Sequence, residues 1–343
     1  MLRGRRQWVR MLYRIHQAKL RMRSLGAVFR GYSNYLRPGS RAYKRHVEQE
    51  VEQYEQVHAN KHDESLLEPA PPSGLDMQGR AARRIREATG DDMLGHVLTR
   101  LRARAGVRML SLGSGPGGLE LSFARDAPAA EFVCMDLNPG LLERGQAQAV
   151  GDGLAVQFEQ ADLNLIELPV AAFDLVFCHA SLHHLLDLEH VFEQIKRTLR
   201  PAGELIVIDV VTRHGYRMWP ETRKVVDAIW KTLPPRYRVN HTAYHAKLED
   251  RVVFEADTRS AGMECIRSGD ILPLLAKEFE TAACVPYHSL CRRFFDTMYG
   301  PNYDLDRPLD RSILDWIWEL DCHYLDTGVL KPETFFGIYR LKT

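Results

Sequence analysis

From residue 107 onward, short apolar runs alternate with longer stretches whose apolar positions recur every three to four residues. The runs at 107–112, 131–137, 155–161, 173–178, 204–211, 280–287 and 335–341 read as strands. Helical periodicity fills 119–126, 140–150 and 182–199 between them. Short apolar runs separated by helices predict an α/β fold, a mainly parallel sheet with helices on both faces. The rhythm breaks after the fifth run. Residues 213–278 and 288–333 are too long for simple crossovers, and predict helical cap insertions over the sheet, where substrate choice usually resides.

Upstream, one helix is expected over about 77–105 and a polar helix over 48–64. Between them Pro69, Pro71 and Pro72 remove helix donors and mark a turn-rich connection. The chain thus divides into an N-terminal helical extension, 1–74, and an α/β domain, 75–343. Near its start Trp8, Leu12, Ile15, Ala18, Met22, Leu25 and Phe29 form one stripe, with Arg3, Arg6, Arg10, Arg14 and Arg21 opposite. That pattern predicts a basic amphipathic helix.

Charge sharpens this picture. The formal net charge is only +1, yet thirteen Lys and Arg residues precede the first acid, Glu48, so the remainder carries −12. A basic helix of this kind packs on its own body or a partner protein, lies on an anionic membrane surface, or directs a chain to an organelle. These alternatives stay open. The acidic body offers no broad track for nucleic acid.

The composition, 45% hydrophobic and 27% charged, is that of a soluble globular protein. No apolar run approaches the ~20 residues of a membrane span. Six scattered cysteines form no C-x-x-C pair and read as thiols in a reducing, cytoplasmic setting. His179/His183 and His241/His245 have i, i+4 spacing, but sequence position suggests no third ligand, so no metal is expected.

The chemistry begins at Met109-Leu110-Ser111-Leu112-Gly113-Ser114-Gly115-Pro116-Gly117-Gly118, a strand entering a glycine turn and then a helix. Such a turn lets a cofactor approach the backbone. Alone it is weak, because Gly113, Gly115 and Gly118 also satisfy the G-x-G-x-x-G of a nicotinamide site. Asp136 closes the next strand, about 20 residues on, where an acid accepts from both ribose hydroxyls. Asp162 follows the third strand. Then come Phe173-Asp174-Leu175-Val176, Leu182-His183-His184 and Leu199-Arg200-Pro201-Ala202-Gly203.

In this order and spacing the motifs resemble the class I S-adenosylmethionine-dependent methyltransferases, especially the small-molecule branch with ubiquinone/menaquinone methyltransferase-type enzymes. The resemblance covers about 107–211. It implies a Rossmann-like seven-stranded sheet and S-adenosyl-L-methionine as cofactor. It also implies that Gly113, Ser114, Gly115 and Gly117 face the methionine portion and ribose, and that Asp136 holds the ribose diol beside Leu137. Asp162 would accept from the adenine amino group, with Leu163 nearby, and His179 would stand where cofactor and acceptor meet.

Two residues depart from the family pattern. Ser111 replaces an acid, so the methionine ammonium must find another partner. Ala202 replaces the first glycine of a pair, leaving Gly203 to supply the unusual backbone angle. The first departure keeps open a methyltransferase-fold binding protein without turnover. An NAD(P)-dependent oxidoreductase is a weaker alternative, since Asp162 and the pattern after strand four would then be coincidence.

His179, His183 and His184 cluster after strand four, and a hydroxyl acceptor needs its proton removed, so His179 and His183 are the catalytic candidates. His288 and Asp209 rank below them. No Asn/Asp-Pro-Pro-Tyr tetrad stands at 179–182 and no carboxylate ends strand four. The first fact points to oxygen or carbon acceptors rather than base or amide nitrogen, and the second argues against a catechol-type methyltransferase. The segment Cys265 to Pro273 is similar to a helix before strand six in bacterial methyltransferases of sugar and secondary metabolism. A small metabolite or glycan-type acceptor, methylated at oxygen, is the resulting expectation.

Overall fold

A computed structural model describes residues 36, 38–61, 70–242, 246–253 and 262–342. The basic stripe from Trp8 to Phe29, and with it Tyr244 and His245, lie outside the described residues. In chain order the chief elements are α1 (Arg41–Lys61), α2 (Pro72–Thr89), α3 (Met93–Leu101), β1 (Arg108–Leu112), α4 (Gly118–Asp126), β2 (Glu131–Asp136), α5 (Pro139–Gly151) and β3 (Val156–Gln160). They continue with β4 (Phe173–His179), α6 (Leu188–Thr198), β5 (Leu199–Val210), α7 (Pro220–Thr232), a two-residue hairpin of β6 (Val239–Asn240) and β7 (Lys247–Leu248), and α8 (Ile271–Glu278). The last are β8 (Glu280–Tyr287), α9 (Arg292–Phe295), α10 (Pro308–Asp326) and β9 (Thr334–Arg340).

The main sheet has seven strands in the order β3-β2-β1-β4-β5-β9-β8. β1 to β5 pair in parallel, and β9 runs antiparallel between β5 and β8. The two-residue period of a strand sends Met109, Phe132, Cys134, Leu175, Phe177 and Ile206 to one core, and Leu110, Val133, Met135, Val176, Cys178 and Leu205 to the other. Both faces are therefore covered, and all seven expected strands are present within a few residues of their expected ends.

Four local differences have identifiable causes. The expected helix over 77–105 is two, because Gly90 at φ +92 returns its N–H to Arg86 O and ends α2. Asp92 then caps α3 by accepting from Gly95 N. α2 itself starts at Pro72, a favoured first helical position, so the proline stretch opens a helix whose Met77, Ala81 and Ile85 enter the core. The expected helix at 182–199 is a single tight turn, Leu182–His184, followed by α6, capped by Asp187. Finally Ala202, not Gly203, takes the left-handed angle, φ +67. Gly203 serves close packing instead, since a Cβ there would stand 2.9 Å from Arg200 O.

The two long insertions pack on each other through aromatic rings. Trp230 meets Tyr299 edge-on at 4.7 Å and Tyr237 stacks on Tyr303 at 5.0 Å. Trp316 stays exposed. Among the described residues no helix is long and apolar enough to cross a membrane.

Candidate active site

β1 delivers the chain into a loop at the carboxyl end of the sheet, the edge at which open α/β folds bind ligands. Gly113 N and Ser114 N donate to Met135 O, at 2.7 and 3.1 Å, fixing the loop beside β2. Two of its glycines are required. Gly113 adopts φ +73 and a Cβ there would lie 2.4 Å from Ser181 Cβ; Gly117 adopts φ +71 and would strike the Phe158 ring at 2.7 Å. Gly113, Ser114 and Gly115 of this loop line the cavity beside it.

Asp136, ending β2, is oriented by two backbone donors: Gly115 N to Oδ2 at 2.8 Å and Asn138 N to Oδ1 at 2.9 Å. Asp162, just past β3, accepts from Asn164 N at 3.0 Å and from the Tyr43 hydroxyl at 2.7 Å. Both acids line one cavity with Gly113, Ser114, Gly115, Leu137 and Leu163. Ala180 and Ser181, past β4, complete the sheet side, and the Ser181 hydroxyl is buried without a partner.

The opposite wall is α1. Tyr43, Val47, Glu50, Val51 and Tyr54 line the cavity, and Asn138 Nδ2 donates to Val51 O at 3.3 Å. Glu50 Oε1 lies 2.6 Å from His184 Nδ1, while Tyr54 Oη is 3.0 Å from His184 Nε2. Burial works against the His184 cation, but Glu50, then Glu264 and Asp209, raise its pKa to about 9. Burial likewise works against the Glu50 anion, and His184, with the Met263 N–H and His183, outweighs it, so that pKa is lowered. His184 is thus a cation at neutral pH that pins α1 across the cavity.

A family model described as a methyltransferase domain matches residues 110–207, the stretch from β1 through β5 that builds the sheet side of this cavity. Demethylmenaquinone methyltransferase of Thermus thermophilus is 34% identical over 106 residues, 31% of this chain. The chain spans about half of that enzyme, 48% of its length. Over residues 110–207 the chain carries a class I S-adenosylmethionine-dependent methyltransferase domain. An uncharacterized protein of Mycobacterium tuberculosis is 28% identical over 240 residues, 66% of this methyltransferase and 79% of the relative. The phosphoethanolamine N-methyltransferase 2 of Haemonchus contortus, solved with S-adenosyl-L-methionine, superposes with a TM-score of 0.45 at 16% identity, over 73% of this chain and 52% of its own.

The cavity of the methyltransferase suits its cofactor. Two carboxylates a strand apart, apolar Leu137 and Leu163, and the lining glycines Gly113 and Gly115 suit a ribose diol, an adenine and a chain lying against the loop. Gly117 contributes from behind, capping α4 rather than lining the cavity. Ser111, where an acid was expected, donates at 2.6 Å to Glu120 Oε1 from α4. Both are buried, and burial holds the Glu120 carboxyl above its ordinary range. The methyltransferase thus keeps an acid beneath its glycine loop, supplied by the helix instead of the strand. Glu50 adds a second, on the cavity wall.

The two histidines chosen from sequence stand outside this cavity lining. His179 ends β4 with an exposed side chain, its ring 6.1 Å from that of Phe177 and nearly parallel to it. His183 is buried, and its Nδ1 lies 2.5 Å from Asp209 Oδ1. Asp209 also accepts from Ser181 N and Leu182 N, so it fastens the turn after β4 to the end of β5. Although burial disfavours its anion, His183 and the N–H groups of Val210 and Leu182 lower the Asp209 pKa. His288 is half-buried with its Nε2 covered and unpartnered, and desolvation followed by the Arg292 charge lowers it to about 4. Sequence reading missed Tyr43, Glu50, Tyr54 and Glu120. For Glu50 and Tyr54 the sole signal was the polar helical stretch over 48–64, which carries no motif, and Tyr43 lies ahead of it, in the part of the helix that starts at Arg41. For Glu120 the clue was an acid one turn into the helix after the glycine loop.

Proposed function

We propose that the enzyme methylates a hydroxyl of a small metabolite or glycan-type acceptor, with His179 as general base. The observation that carries this reading is the position of His179: an accessible imidazole ending β4, directly before Ala180 and Ser181 of the cofactor wall. When bound, S-adenosyl-L-methionine supplies an activated methyl group. The protein's part is to hold the acceptor oxygen in line, exclude water and take the hydroxyl proton onto the imidazole. Oxygen gains the methyl group as the sulfonium–methyl bond breaks, so the charge balance closes with a protonated His179.

The test uses carbon-13-methyl-labelled cofactor with phenols, sugar hydroxyls and demethylated quinols, read by carbon–proton correlation. A labelled methyl on oxygen, with turnover cut about a hundredfold in His179→Ala and S-adenosylhomocysteine affinity retained, supports the reading. Unchanged turnover in that variant removes His179 from the role.

A second reading is methylation at carbon of a quinone-type ring. It is favoured by the 34% identity to demethylmenaquinone methyltransferase, although that match spans only 31% of this chain. The same spectrum distinguishes the two, since a methyl bound to ring carbon resonates far from one bound to oxygen.

A further inference from the structure

The turn after β4 meets the segment before α8. Ile266 N donates to His183 O at 3.1 Å, which holds Glu264 and Cys265 against the His183 ring. Glu264 Oε1 lies 3.7 Å from His183 Nε2 and 3.3 Å from Cys265 Sγ. One donor atom from each of the three residues falls within 4.8 Å of the others. Three chemically different donors thus converge from two separate stretches of chain.

We propose that His183 Nε2, the Glu264 carboxylate and the Cys265 thiolate form a binding site for a zinc-type divalent cation, with a fourth position open. Imidazole, carboxylate and thiolate are all accepted by zinc, and three protein ligands leave the coordination of a catalytic rather than a structural site. On metal bonds of roughly 2.0–2.3 Å, tetrahedral donors stand about 3.3–3.8 Å apart. The two separations from Glu264 already fall in that range.

Two independent features support the assignment. Metal-bound histidines present their other ring nitrogen to a carboxylate or carbonyl, and here Nδ1 of His183 lies 2.5 Å from the buried Asp209. Cys265 also holds φ +49, a conformation costly for a residue with a side chain and characteristic of functional sites. In the metal-free form the thiol donates to Glu264; on binding, its proton leaves to solvent and the thiolate takes the metal.

Two sequence neighbours of these ligands, His184 and Met263, line the cofactor cavity. An open position here suits an acceptor oxygen or thiol, whose proton affinity the cation would lower; this use rests on the methyl-transfer reading.

The experiment strips the full-length protein with a chelator and reloads it with cobalt(II). Expected are one cobalt per chain, visible bands of four-coordinate intensity and a near-ultraviolet thiolate-to-cobalt band. Cys265→Ser should lose the near-ultraviolet band, and Glu264→Gln, at a partly exposed position, should weaken cobalt binding at least tenfold. Failure of the folded protein to retain stoichiometric cobalt or zinc overturns the proposal, as does a thiolate band that survives Cys265→Ser. S-adenosylhomocysteine titration of the stripped protein separates the two readings. Cofactor binding without metal binding overturns the metal site alone, whereas metal binding without cofactor binding leaves the site standing and removes its proposed use.

Discussion

The Tyr43 hydroxyl donates a 2.7 Å hydrogen bond to Asp162 Oδ1 across 119 positions of chain, joining α1 to the acid expected to read adenine. The ring is buried, and burial followed by that carboxylate raises the phenol above its ordinary pKa, so it remains a donor.

Removing that hydroxyl should loosen both the helix and the cofactor. A hydrogen bond to a charged group contributes about 1.5–3 kcal/mol, so Tyr43→Phe should weaken S-adenosylhomocysteine binding roughly ten- to hundredfold if the helix docks only when tied. Calorimetry gives the affinity, and amide exchange over 41–61 gives the docking. Unaltered exchange and affinity together would contradict the assignment.

Asp136→Ala removes the acceptor for Gly115 N and Asn138 N as well as the expected diol ligand. S-adenosylhomocysteine affinity should fall at least tenfold, by the same hydrogen-bond magnitude, while the circular dichroism of the sheet persists. Retained affinity in a folded variant would place the ribose elsewhere.

Glu120 makes a pH prediction. Its folded-state pKa is raised above the ordinary value of 4.5, chiefly by burial, so the folded protein favours the neutral acid. Its contribution is complete below that ordinary value and is lost as pH rises through the raised one. Glu120→Gln preserves an acceptor for Ser111 Oγ and removes the titration. Urea midpoints measured from pH 4 upward should therefore decline less steeply in Glu120→Gln than in the parent; parallel curves would refute the linkage.

Asp321 is a stability determinant of the cap. Buried in α10, it accepts from the backbone N–H groups of Ser289, Leu290 and Cys291. Asp321→Ala orphans all three, at about 1–3 kcal/mol for each buried donor left unmade. Denaturant unfolding should show a loss of roughly 3 kcal/mol or more, and a loss under about 1 kcal/mol would mean that water takes over the donors.

The sheet was legible in the sequence because its central strands are apolar on both faces and bounded by helices, a signal carried within a few residues. The glycine loop, Asp136 and Asp162 were legible for a related reason. A tight turn and two strand-end acids at fixed offsets are local features. Tyr43 and Glu50 were not legible, since their roles exist only once α1 reaches across the sheet to Asp162 and His184. The His183–Glu264–Cys265 cluster escaped likewise: reading at i, i+4 spacing paired His183 with His179, while the fold brings it to residues about eighty positions away. Ala202 shows a smaller failure of the same kind. Residue preference assigned the left-handed angle to Gly203, but close packing against Arg200 and Asp174 claims the glycine, and the angle falls to its neighbour.

The docking of α1 separates two properties that one stretch of chain usually carries together. The glycine loop and the two acids come from 108–210, but the facing wall of the cavity comes from Tyr43 to Tyr54, held by contacts at Asp162, Asn138 and His184. A nucleoside seated there is enclosed between the sheet edge and a helix from a distant part of the chain, so weakening the three contacts that hold the helix should speed its escape while leaving the sheet folded.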